Sequence, residues 1–278
     1  MQKVSRKIYK LYMSLPNKVR FCIFIIALIS VVFLSKAILE RFVWRGSDIK
    51  AYVTDNPVAN GEENEENGKK HRNPVQREVV VVIDPGHGGD DHGASNELLF
   101  EKDINLDISK RLGKKLGEAG IMVVYTREED VFVDLDPRVD IANNLDAALF
   151  ISVHSNSMPD NSQYKGTETL YCPPVNETDG KMDGRKLAVI VQEELVKTLK
   201  TIDNGIIYRP NLAVLRKTKM PAVIAEIAYI SNASDREKLK KVEFRQKAAD
   251  ALSNAVIKAL DKMNAKKDEN GIWKLPEE

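Results

Sequence analysis

The chain has 278 residues, of which 43% are hydrophobic and 30% are charged. This balance excludes a wholly disordered chain, a fibrous repeat and a polytopic membrane protein. Its 42 basic and 41 acidic residues leave a net charge of +1, so we expect no nucleic-acid partner.

The N-terminal part predicts a membrane anchor. Residues 1–20 carry basic but no acidic side chains, and residues 21–39 form an apolar segment whose single charge is Lys36. A segment of this length nearly suffices to cross a bilayer, and the basic flank favours the cytoplasmic side for residues 1–20. We therefore expect a transmembrane signal-anchor helix at 21–39 of a single-pass membrane protein, with the rest of the chain outside the cytoplasm.

Two alternatives to this anchor stay open. Ser35-Lys36-Ala37 has the small-x-small pattern of a signal-peptide cleavage site, and cleavage after Ala37 would make the protein secreted. The segment 21–39 would otherwise be a buried core helix, although a purely basic flank is not typical of one. The anchor and the cleaved signal both place the remaining chain outside the cytoplasm.

Polar segments flank the presumed folded domain. Residues 40–77 contain a run rich in Asn, Gly and Glu without apolar periodicity, which predicts a flexible linker. Residues 264–278 are also polar, with an isolated Trp273, and predict a polar tail. The intervening residues 78–263 suffice for one well-buried core, so we expect a single folded domain there.

Strand and helix patterns alternate within this domain. Continuous β-branched runs are typical of strands buried on both faces, and apolar stripes at helical spacing are typical of helices packed on a sheet. The alternation predicts an α/β fold, a single-domain twisted and mostly parallel sheet with helices on both faces. The predicted elements are, in chain order, strand 79–83, helix 103–116, strand 121–125, helix 137–145, strand 148–153, edge strand 168–171, helix 184–199, strand 222–225 and helix 244–263.

Functional sites in such sheets lie beyond the carboxyl ends of the strands, and three side chains point to that edge. His87 lies in the glycine-rich loop after the first strand, His154 follows strand 148–153, and Glu101 opens the first helix. Two histidines and one carboxylate with an open fourth position are the ligand set of a catalytic zinc site. The sequence therefore predicts a metal centre at this edge.

Each part of this set also has a plainer interpretation. A glycine-rich loop is usually a turn or an anion-binding nest, a histidine at a strand end is often structural, and a glutamate in a first helical turn complements the helix dipole. Their joint occurrence at three matched places favours the metal centre. The two cysteines, Cys22 and Cys172, are too few for a cysteine-based zinc site or a disulfide framework.

A further carboxylate, Glu226, follows the apolar strand 222–225. A charged group at the end of a buried strand is costly unless it is paired or functional. Beside a metal centre it is placed to take the proton of an attacking water as a general base. Alternatively, Glu226 forms an ion pair with a buried arginine, either Arg127 or Arg216, which we otherwise interpret as structural or peptide-binding.

Three neighbours of the histidines have weaker roles. Asp84 either orients His87 or caps the turn. Asn156 follows His154 by two residues and is expected to line a groove. His92 lies in a predicted exposed turn, so we do not expect it to be a ligand.

Short motifs resemble those of the zinc-dependent N-acetylmuramoyl-L-alanine amidases of the Amidase_3 family. The resemblance covers about 79–260, essentially the whole folded domain. Where the family usually has Gly-Phe after its catalytic glutamate, this chain has Ile227-Ala228-Tyr229. The motifs are IDPGHGG from Ile83, Glu101 after a short gap, TR at Thr126, SVHSN from Ser152 and PAVIAEIAYISN from Pro221.

The resemblance implies a zinc ion bound by His87, Glu101 and His154, with Glu226 as the catalytic residue. It implies hydrolysis of the amide bond between N-acetylmuramic acid and L-alanine in peptidoglycan, whose glycan strand and stem peptide form the substrate. An exported domain on a membrane-attached linker agrees with a substrate on the cell-wall side.

Other functions stay open at this point. A zinc hydrolase of another specificity, such as a peptidase or a deacetylase, would use the same residues. A non-catalytic cell-wall-binding scaffold would be expected to lack at least one of the four, and all are present. Short, singly anchored family members resemble both spore-cortex amidases of sporulation or germination and general wall-remodelling amidases. We see no helix that would block the site, which suggests control by a regulatory protein partner.

Overall fold

The structure, a computed structural model, describes residues 76–96, 99–172 and 181–276. The predicted basic segment 1–20, the signal-anchor segment 21–39 and nearly all of the predicted linker lie outside these residues. Within the described ranges, no helix is both long and apolar enough to span a bilayer. The N-terminal membrane helix therefore stays a prediction.

The described residues form short strands and longer helices. The strands are β1 (Gln76–Glu78), β2 (Val80–Pro85), β3 (Ser95–Asn96), β4 (Leu99–Phe100), β5 (Met122–Tyr125), β6 (Leu149–Asn156), β7 (Thr167–Tyr171), β8 (Asp203–Tyr208), β9 (Ala222–Tyr229), β10 (Lys266–Lys267) and β11 (Trp273–Pro276). The helices are α1 (Glu101–Glu118), α2 (Leu135–Asn144), α3 (Gly184–Leu199), α4 (Ala213–Arg216), α5 (Ala233–Leu239) and α6 (Val242–Lys262).

Six strands form the central sheet, in the order β5-β2-β6-β9-β7-β8. All neighbouring pairs are parallel except β9 and β7, which are antiparallel. The predicted α/β class and mostly parallel sheet are thus confirmed, with one antiparallel junction that makes the sheet mixed. Because β2, β6 and β9 are parallel, their carboxyl ends meet at one edge of the sheet, where β7 begins.

Helices cover both faces of this sheet, as predicted. Helices α1, α3 and α6 pack on one face, where Ile108, Leu195 and Leu252 are fully buried. Each such side chain contributes about 1.5–3 kcal/mol to stability by its burial. Helices α2 and α4 cover the other face through Val139 and Leu215. They have only 10 and 4 residues.

The prediction of an edge strand at 168–171 is wrong. Strand β7 lies inside the sheet, and β8, which we did not predict, forms the edge beside it. The alternating Thr and Glu residues give β7 the sequence pattern of a half-exposed strand. In the structure their side chains are buried and form hydrogen bonds. Thr167 Oγ1 donates to the Ile227 carbonyl, and Thr169 Oγ1 donates to Gln192 Oε1. These hydrogen bonds remove the cost of polar groups in an interior strand.

Two predicted boundaries shift in the structure, and one is confirmed. Helix α1 begins at Glu101, the residue expected to open it ahead of the apolar stripe from 103. Helix α2 begins at Leu135, where the Asp134 side chain accepts a hydrogen bond from the first N–H of the helix. Strand β9 continues to Tyr229, so Glu226 lies within the strand and not at its end.

Residues 264–278 differ from the predicted polar tail. Strand β11 pairs with β10 and with β1, and together they form a small antiparallel sheet. Trp273 and Leu275 are buried in the main core, and Trp273 Nε1 donates to the Ala119 carbonyl at 3.0 Å. The spacing of two between these apolar residues places both on the same side of a strand, which the polar composition of the segment conceals.

Candidate metal centre and active site

The loop after β2 holds His87 in an unusual backbone conformation. Its φ angle is 61°, in the left-handed region that residues other than glycine rarely adopt. Two buried arginines fix the loop. Arg127 donates Nε to the Pro85 carbonyl and Nη2 to the Gly86 carbonyl, both at 2.9 Å, and Arg138 donates Nη2 to the His87 carbonyl at 3.0 Å. Backbone strain persists only where the surroundings enforce it, and it is common at functional sites.

His154 lies on β6, and its ring packs directly on Gly86. A Cβ atom at position 86 would lie 2.3 Å from His154 Nε2, so only glycine leaves room for the imidazole. On the other side of the ring, His154 Nδ1 lies 2.9 Å from Glu101 Oε1. The packing against Gly86 therefore turns Nδ1 towards Glu101.

Glu101 connects the two histidines. Its Oε1 contacts His154 as described, and its Oε2 lies 3.2 Å from His87 Nε2. Each oxygen also accepts a further hydrogen bond, Oε1 from Asn105 Nδ2 at 3.1 Å and Oε2 from the Ala94 N–H at 2.8 Å. The carboxylate is thus fixed at the centre of the group.

The structure brings the three predicted ligands together in one cluster. His87, Glu101 and His154 each offer one ligand atom, and these atoms lie within 4.8 Å of one another. Asp91 Oδ2 lies 2.8 Å from His87 Nδ1, which leaves His87 Nε2 for the cluster. Carboxylates in this outer position commonly orient metal-binding histidines. Two imidazole nitrogens and one carboxylate oxygen fit a zinc ion.

Charge within the cluster shifts the pKa values of its members. Burial lowers the pKa of His154, but the hydrogen bond and charge of Glu101 outweigh it and raise that pKa to about 9. Burial alone would raise the pKa of Glu101, but His154 and His87 hold it well below its usual range. A metal ion would therefore compete with protons for the histidine nitrogens when it binds.

Glu226 lies beside this cluster. In the register of β6 and β9 it is opposite His154, and it is 8% exposed. Its Oε2 is buried and has no hydrogen-bond partner among the described residues. Burial raises the pKa of Glu226 to about 7; the charge of His154 opposes this shift, and the charges of Glu101 and Glu168 add to it. A carboxyl group with a pKa near neutrality can both accept and return a proton.

The alternative that Glu226 pairs with a buried arginine does not hold. The guanidinium of Arg127 is occupied by backbone carbonyls, including those of Pro85 and Gly86. Arg216 is exposed at the end of α4. Within the described ranges, no ion pair of Glu226 is found.

A cavity of about 570 Å³ opens over the cluster and Glu226. Leu170, Leu212 and Ile224 contribute apolar side chains to its lining. Asn156 lines the cavity, as predicted, and its Nδ2 donates to Glu168 Oε1 at 2.8 Å. The cavity thus combines a metal-binding end, a buried carboxyl group and an apolar surface.

The predictions for Asp84 and His92, two neighbours of the histidine ligands, differ in how they agree with the structure. Asp84 does not orient His87, because its oxygens accept hydrogen bonds from Thr126 Oγ1 at 2.6 Å, Arg138 Nη1 at 2.8 Å and Ser152 Oγ at 2.7 Å. His92 is exposed and lies outside the cluster, as predicted, with its ring centre 4.8 Å from that of Phe100.

Two residues that support the site were missed in the sequence. Asp91, which orients His87, lies four residues after it in a segment that we interpreted as an exposed turn. Arg138 lies on the buried side of α2 with Val139 and Ala142, so it interrupts the apolar stripe of that helix. A charged residue on the apolar side of a predicted helix needs a buried partner, and this feature of the sequence would have identified Arg138 as a residue that supports the site.

Comparison with protein families agrees with this geometry. The Amidase_3 model, described as N-acetylmuramoyl-L-alanine amidase, matches residues 81–258, which is more than half of the chain. The chain belongs to the Amidase_3 family. The matched range includes the histidine cluster and Glu226.

Curated relatives by sequence include cell-wall amidases. The N-acetylmuramoyl-L-alanine amidase LytC of Bacillus subtilis (strain 168) is 39% identical over 186 residues, which are 67% of this chain and 36% of LytC. The uncharacterized protein YqiI of the same strain is 41% identical over 177 residues, which are 64% of this chain and 82% of YqiI. The match thus spans only about a third of the length of LytC.

Solved amidase structures share the fold. The catalytic domain of CwlV, an N-acetylmuramoyl-L-alanine amidase from Bacillus (Paenibacillus) polymyxa var. colistinus, has a TM-score of 0.60 and 34% identity, covering 66% of this chain and 98% of that one. The CwlD amidase from Clostridioides difficile, solved in complex with the GerS lipoprotein, has a TM-score of 0.60 and 29% identity with the same coverage.

Proposed function

We propose that this Amidase_3 chain is a zinc-dependent amidase that hydrolyses the bond between N-acetylmuramic acid and L-alanine in peptidoglycan. His87, Glu101 and His154 would hold the zinc ion, and Glu226 would be the catalytic residue. The observation that carries this proposal is the buried Glu226 Oε2, which has no hydrogen-bond partner among the described residues, while Glu226 lines the same cavity as the three converging ligands. A purely structural carboxyl group would be expected to have a partner.

The chain's own residues account for the proton transfers. A bound zinc ion would supply Lewis-acid polarisation and lower the pKa of water at the site. Glu226 accepts a proton as a water molecule attacks the lactoyl carbonyl carbon, and it then donates that proton to the L-alanine nitrogen as the C–N bond breaks. The products are a glycan with a free lactoyl carboxylate and a stem peptide with a free amino terminus.

Surrounding residues keep this geometry fixed. Asp91 and the packing on Gly86 set the ring orientations of His87 and His154. Asn105 and the Ala94 N–H hold the Glu101 carboxylate. Such preorganisation means that little rearrangement is needed at the moment of reaction.

Digestion of purified peptidoglycan by the full-length protein tests the proposal. Mass spectrometry should detect stem peptides with a free N-terminal alanine and no released acetate. Cleavage inside the stem peptide would indicate a peptidase, and acetate release would indicate a deacetylase. Peptidoglycan binding without any cleavage would indicate a scaffold.

The location of the enzyme is part of the proposal. Residues 21–39 would anchor the protein in the cell membrane, with the catalytic domain on the cell-wall side. A reporter that is active only outside the cytoplasm, fused after Leu275, should be active, and the protein should fractionate with membranes. Release of a fragment that begins near Ile38 would instead indicate a secreted protein cleaved after Ala37.

A regulatory protein partner is also part of the proposal, supported by the CwlD–GerS complex of a related amidase. Whether the chain acts on spore cortex or in general wall remodelling would follow from that partner. The purified full-length protein should then turn over peptidoglycan faster when a membrane extract of its own cells is added. Equal turnover with and without extract would argue against such control.

A further inference from the structure

The side chain of Asn156 forms a bridge across strand β9. In the central sheet β9 lies between β6 and β7, and Asn156 of β6 donates its Nδ2 to Glu168 Oε1 of β7 at 2.8 Å. Neighbouring strands are about 4.8 Å apart, so this hydrogen bond connects two strands that do not pair with each other. Asn156 is opposite Tyr229 of β9, and Glu168 is opposite Glu226. The bridge therefore crosses β9 between these two residues.

The Asn156 amide group is a neighbour of Glu226 inside the active-site cavity. Glu168, at the other end of the bridge, is opposite Glu226 in the antiparallel pair of β7 and β9. Side chains at such opposite positions point to the same face, with Cβ atoms about 4.5–5.5 Å apart. Asn156 and Glu226 also both line the cavity that holds the proposed metal ligands.

Three hydrogen bonds fix the orientation of this amide group. Besides the bond to Glu168, Nδ2 donates to the Tyr229 hydroxyl at 3.3 Å, and Oδ1 accepts from the Ser157 N–H at 2.7 Å. An inverted amide would direct its NH2 group at the Ser157 N–H and its carbonyl oxygen at the Glu168 carboxylate. The surroundings therefore enforce one orientation.

Asn156 has one unused hydrogen-bonding position, and that position is an acceptor. The two hydrogens of Nδ2 are used in the bonds to Glu168 and Tyr229, whereas Oδ1 has two lone pairs and uses one of them for Ser157. Among the described residues, the second lone pair of Oδ1 has no partner. Asn156 can therefore accept a hydrogen bond from a substrate, but it has no hydrogen left to donate.

The proposed reaction brings a matching donor to this place. Glu226 returns its proton to the L-alanine nitrogen, so this nitrogen must come within about 3 Å of the Glu226 carboxyl group. The nitrogen also carries a hydrogen of its own throughout the reaction. Once the substrate has displaced water from the cavity, this N–H costs free energy unless it finds an acceptor. Asn156 Oδ1 is the acceptor that the bridge places beside Glu226.

We propose that Asn156 Oδ1 accepts a hydrogen bond from the N–H of the scissile amide. This inference rests on the proposed function and adds a substrate contact to it. Glu226 protonates the nitrogen, the C–N bond then breaks with its electron pair on nitrogen, and the N–H bonded to Asn156 is kept. The protonated nitrogen carries positive charge before the bond breaks, so this hydrogen bond is stronger at that stage than in the bound substrate.

The test compares two substrates that differ at one position. One is a muropeptide in which N-acetylmuramic acid is joined to L-alanine. The other is its ester analogue, in which L-lactate replaces that L-alanine and an oxygen atom replaces the N–H. The full-length protein and its Asn156→Ala variant are measured on both, and the readout is kcat/KM for the amide divided by kcat/KM for the ester. Because both values come from one preparation, this ratio does not depend on the fraction of folded, zinc-loaded protein.

In Asn156→Ala the ratio should fall about tenfold, the size expected for a hydrogen bond to a group that gains charge. The amide loses an acceptor for its N–H. The ester oxygen has no hydrogen and faces Oδ1 with lone pairs of its own, so ester hydrolysis should stay equal or rise. The control Asn144→Ala removes an exposed asparagine at the end of α2 and should keep the wild-type ratio.

An equal fall of both kcat/KM values in Asn156→Ala would overturn the contact, because a purely structural residue affects both substrates alike. Unchanged values for both substrates, or a larger fall for the ester than for the amide, would overturn it as well. Failure of the proposed function itself looks different, because the wild type would then cleave neither substrate at this bond.

Discussion

Glu226 combines two properties that rarely occur together in a folded protein. Its carboxyl group is buried, and one of its oxygens has no hydrogen-bond partner among the described residues. Burial of this carboxyl group therefore costs free energy, which the charge of His154 offsets only in part. A buried carboxyl group of this kind is expected where it transfers protons in a reaction, and its pKa of about 7 suits proton transfer near neutral pH.

The first prediction separates the catalytic from the structural role of this residue. Glu226→Gln keeps the shape of the side chain but cannot accept a proton at neutral pH. Turnover should fall by about 10²–10⁴-fold, the range for loss of a general base. The melting temperature should not fall, because the Glu226 side chain has no hydrogen bond to another described residue that the change would remove. Melting temperature, zinc content and amide hydrolysis are measured on one preparation, and a zinc-loaded variant with near-normal turnover would contradict the assignment.

A second prediction concerns the metal ligands. His154→Ala leaves only two protein ligands, so bound zinc and activity should be lost together. His92→Ala is the matched control, because His92 lies nearby outside the cluster, and it should keep both. Elemental analysis of the purified variants gives the zinc content. One zinc ion per chain in His154→Ala would show that the ligand set is wrong.

At the scale of elements, the loop after β2 owes its shape to distant parts of the chain. Asp84 at the end of β2 binds Arg138 of α2, which in turn holds the His87 carbonyl. Burial alone would raise the pKa of Asp84, but the charge of Arg138 and the hydrogen bonds from Ser152 and Thr126 hold that pKa below its usual value. The ion pair is therefore formed from the ionised carboxylate.

The third prediction follows from the sign of this shift. Because the pKa of Asp84 is lower in the folded than in the unfolded state, its ionisation stabilises the fold above about pH 4, and this stabilisation is lost as the pH falls through the folded-state value. Asp84→Asn leaves Arg138 buried without its partner and should cost about 3–5 kcal/mol at pH 7. The difference from wild type should shrink at pH 3.

Urea unfolding of both proteins at pH 7 and pH 3 measures this difference. Asp140→Asn changes an exposed residue of the same helix and should alter stability by less than about 0.5 kcal/mol. A difference between Asp84→Asn and wild type that is equal at both pH values would mean that Asp84 is not ionised in the folded protein.

The elements also show which parts of the fold a sequence can predict. Strands β2, β6 and β9 and helices α1, α3 and α6 have strong apolar patterns, and they place His87, His154 and Glu226 at one edge. Strand β7 was misplaced because its polar residues find partners that only the folded chain provides. Arg138 was missed for the same reason, since its partner Asp84 lies 54 residues away.

For the molecule as a whole, the C-terminal segment completes the main core. Trp273 packs against that core and donates a hydrogen bond to the end of α1. As the fourth prediction, Trp273→Ala should lower the free energy of unfolding by about 3–5 kcal/mol. Denaturant unfolding measures it, with Phe132→Ala as the control, because Phe132 is 59% exposed. A loss below about 1 kcal/mol would show that β11 is only loosely attached.

The pairing of β1 with β11 has a mechanical consequence. Gln76 lies opposite Pro276 and Glu78 opposite Lys274, so the two ends of the described domain leave it side by side. A force that pulls these ends apart acts on the residue pairs between β1 and β11 one after another. It begins with the outermost pair, Gln76 and Pro276, and so opens the small sheet stepwise. Under tension between its ends, the domain should therefore yield first at β1 and β11, while the strands that carry the histidines keep their spacing.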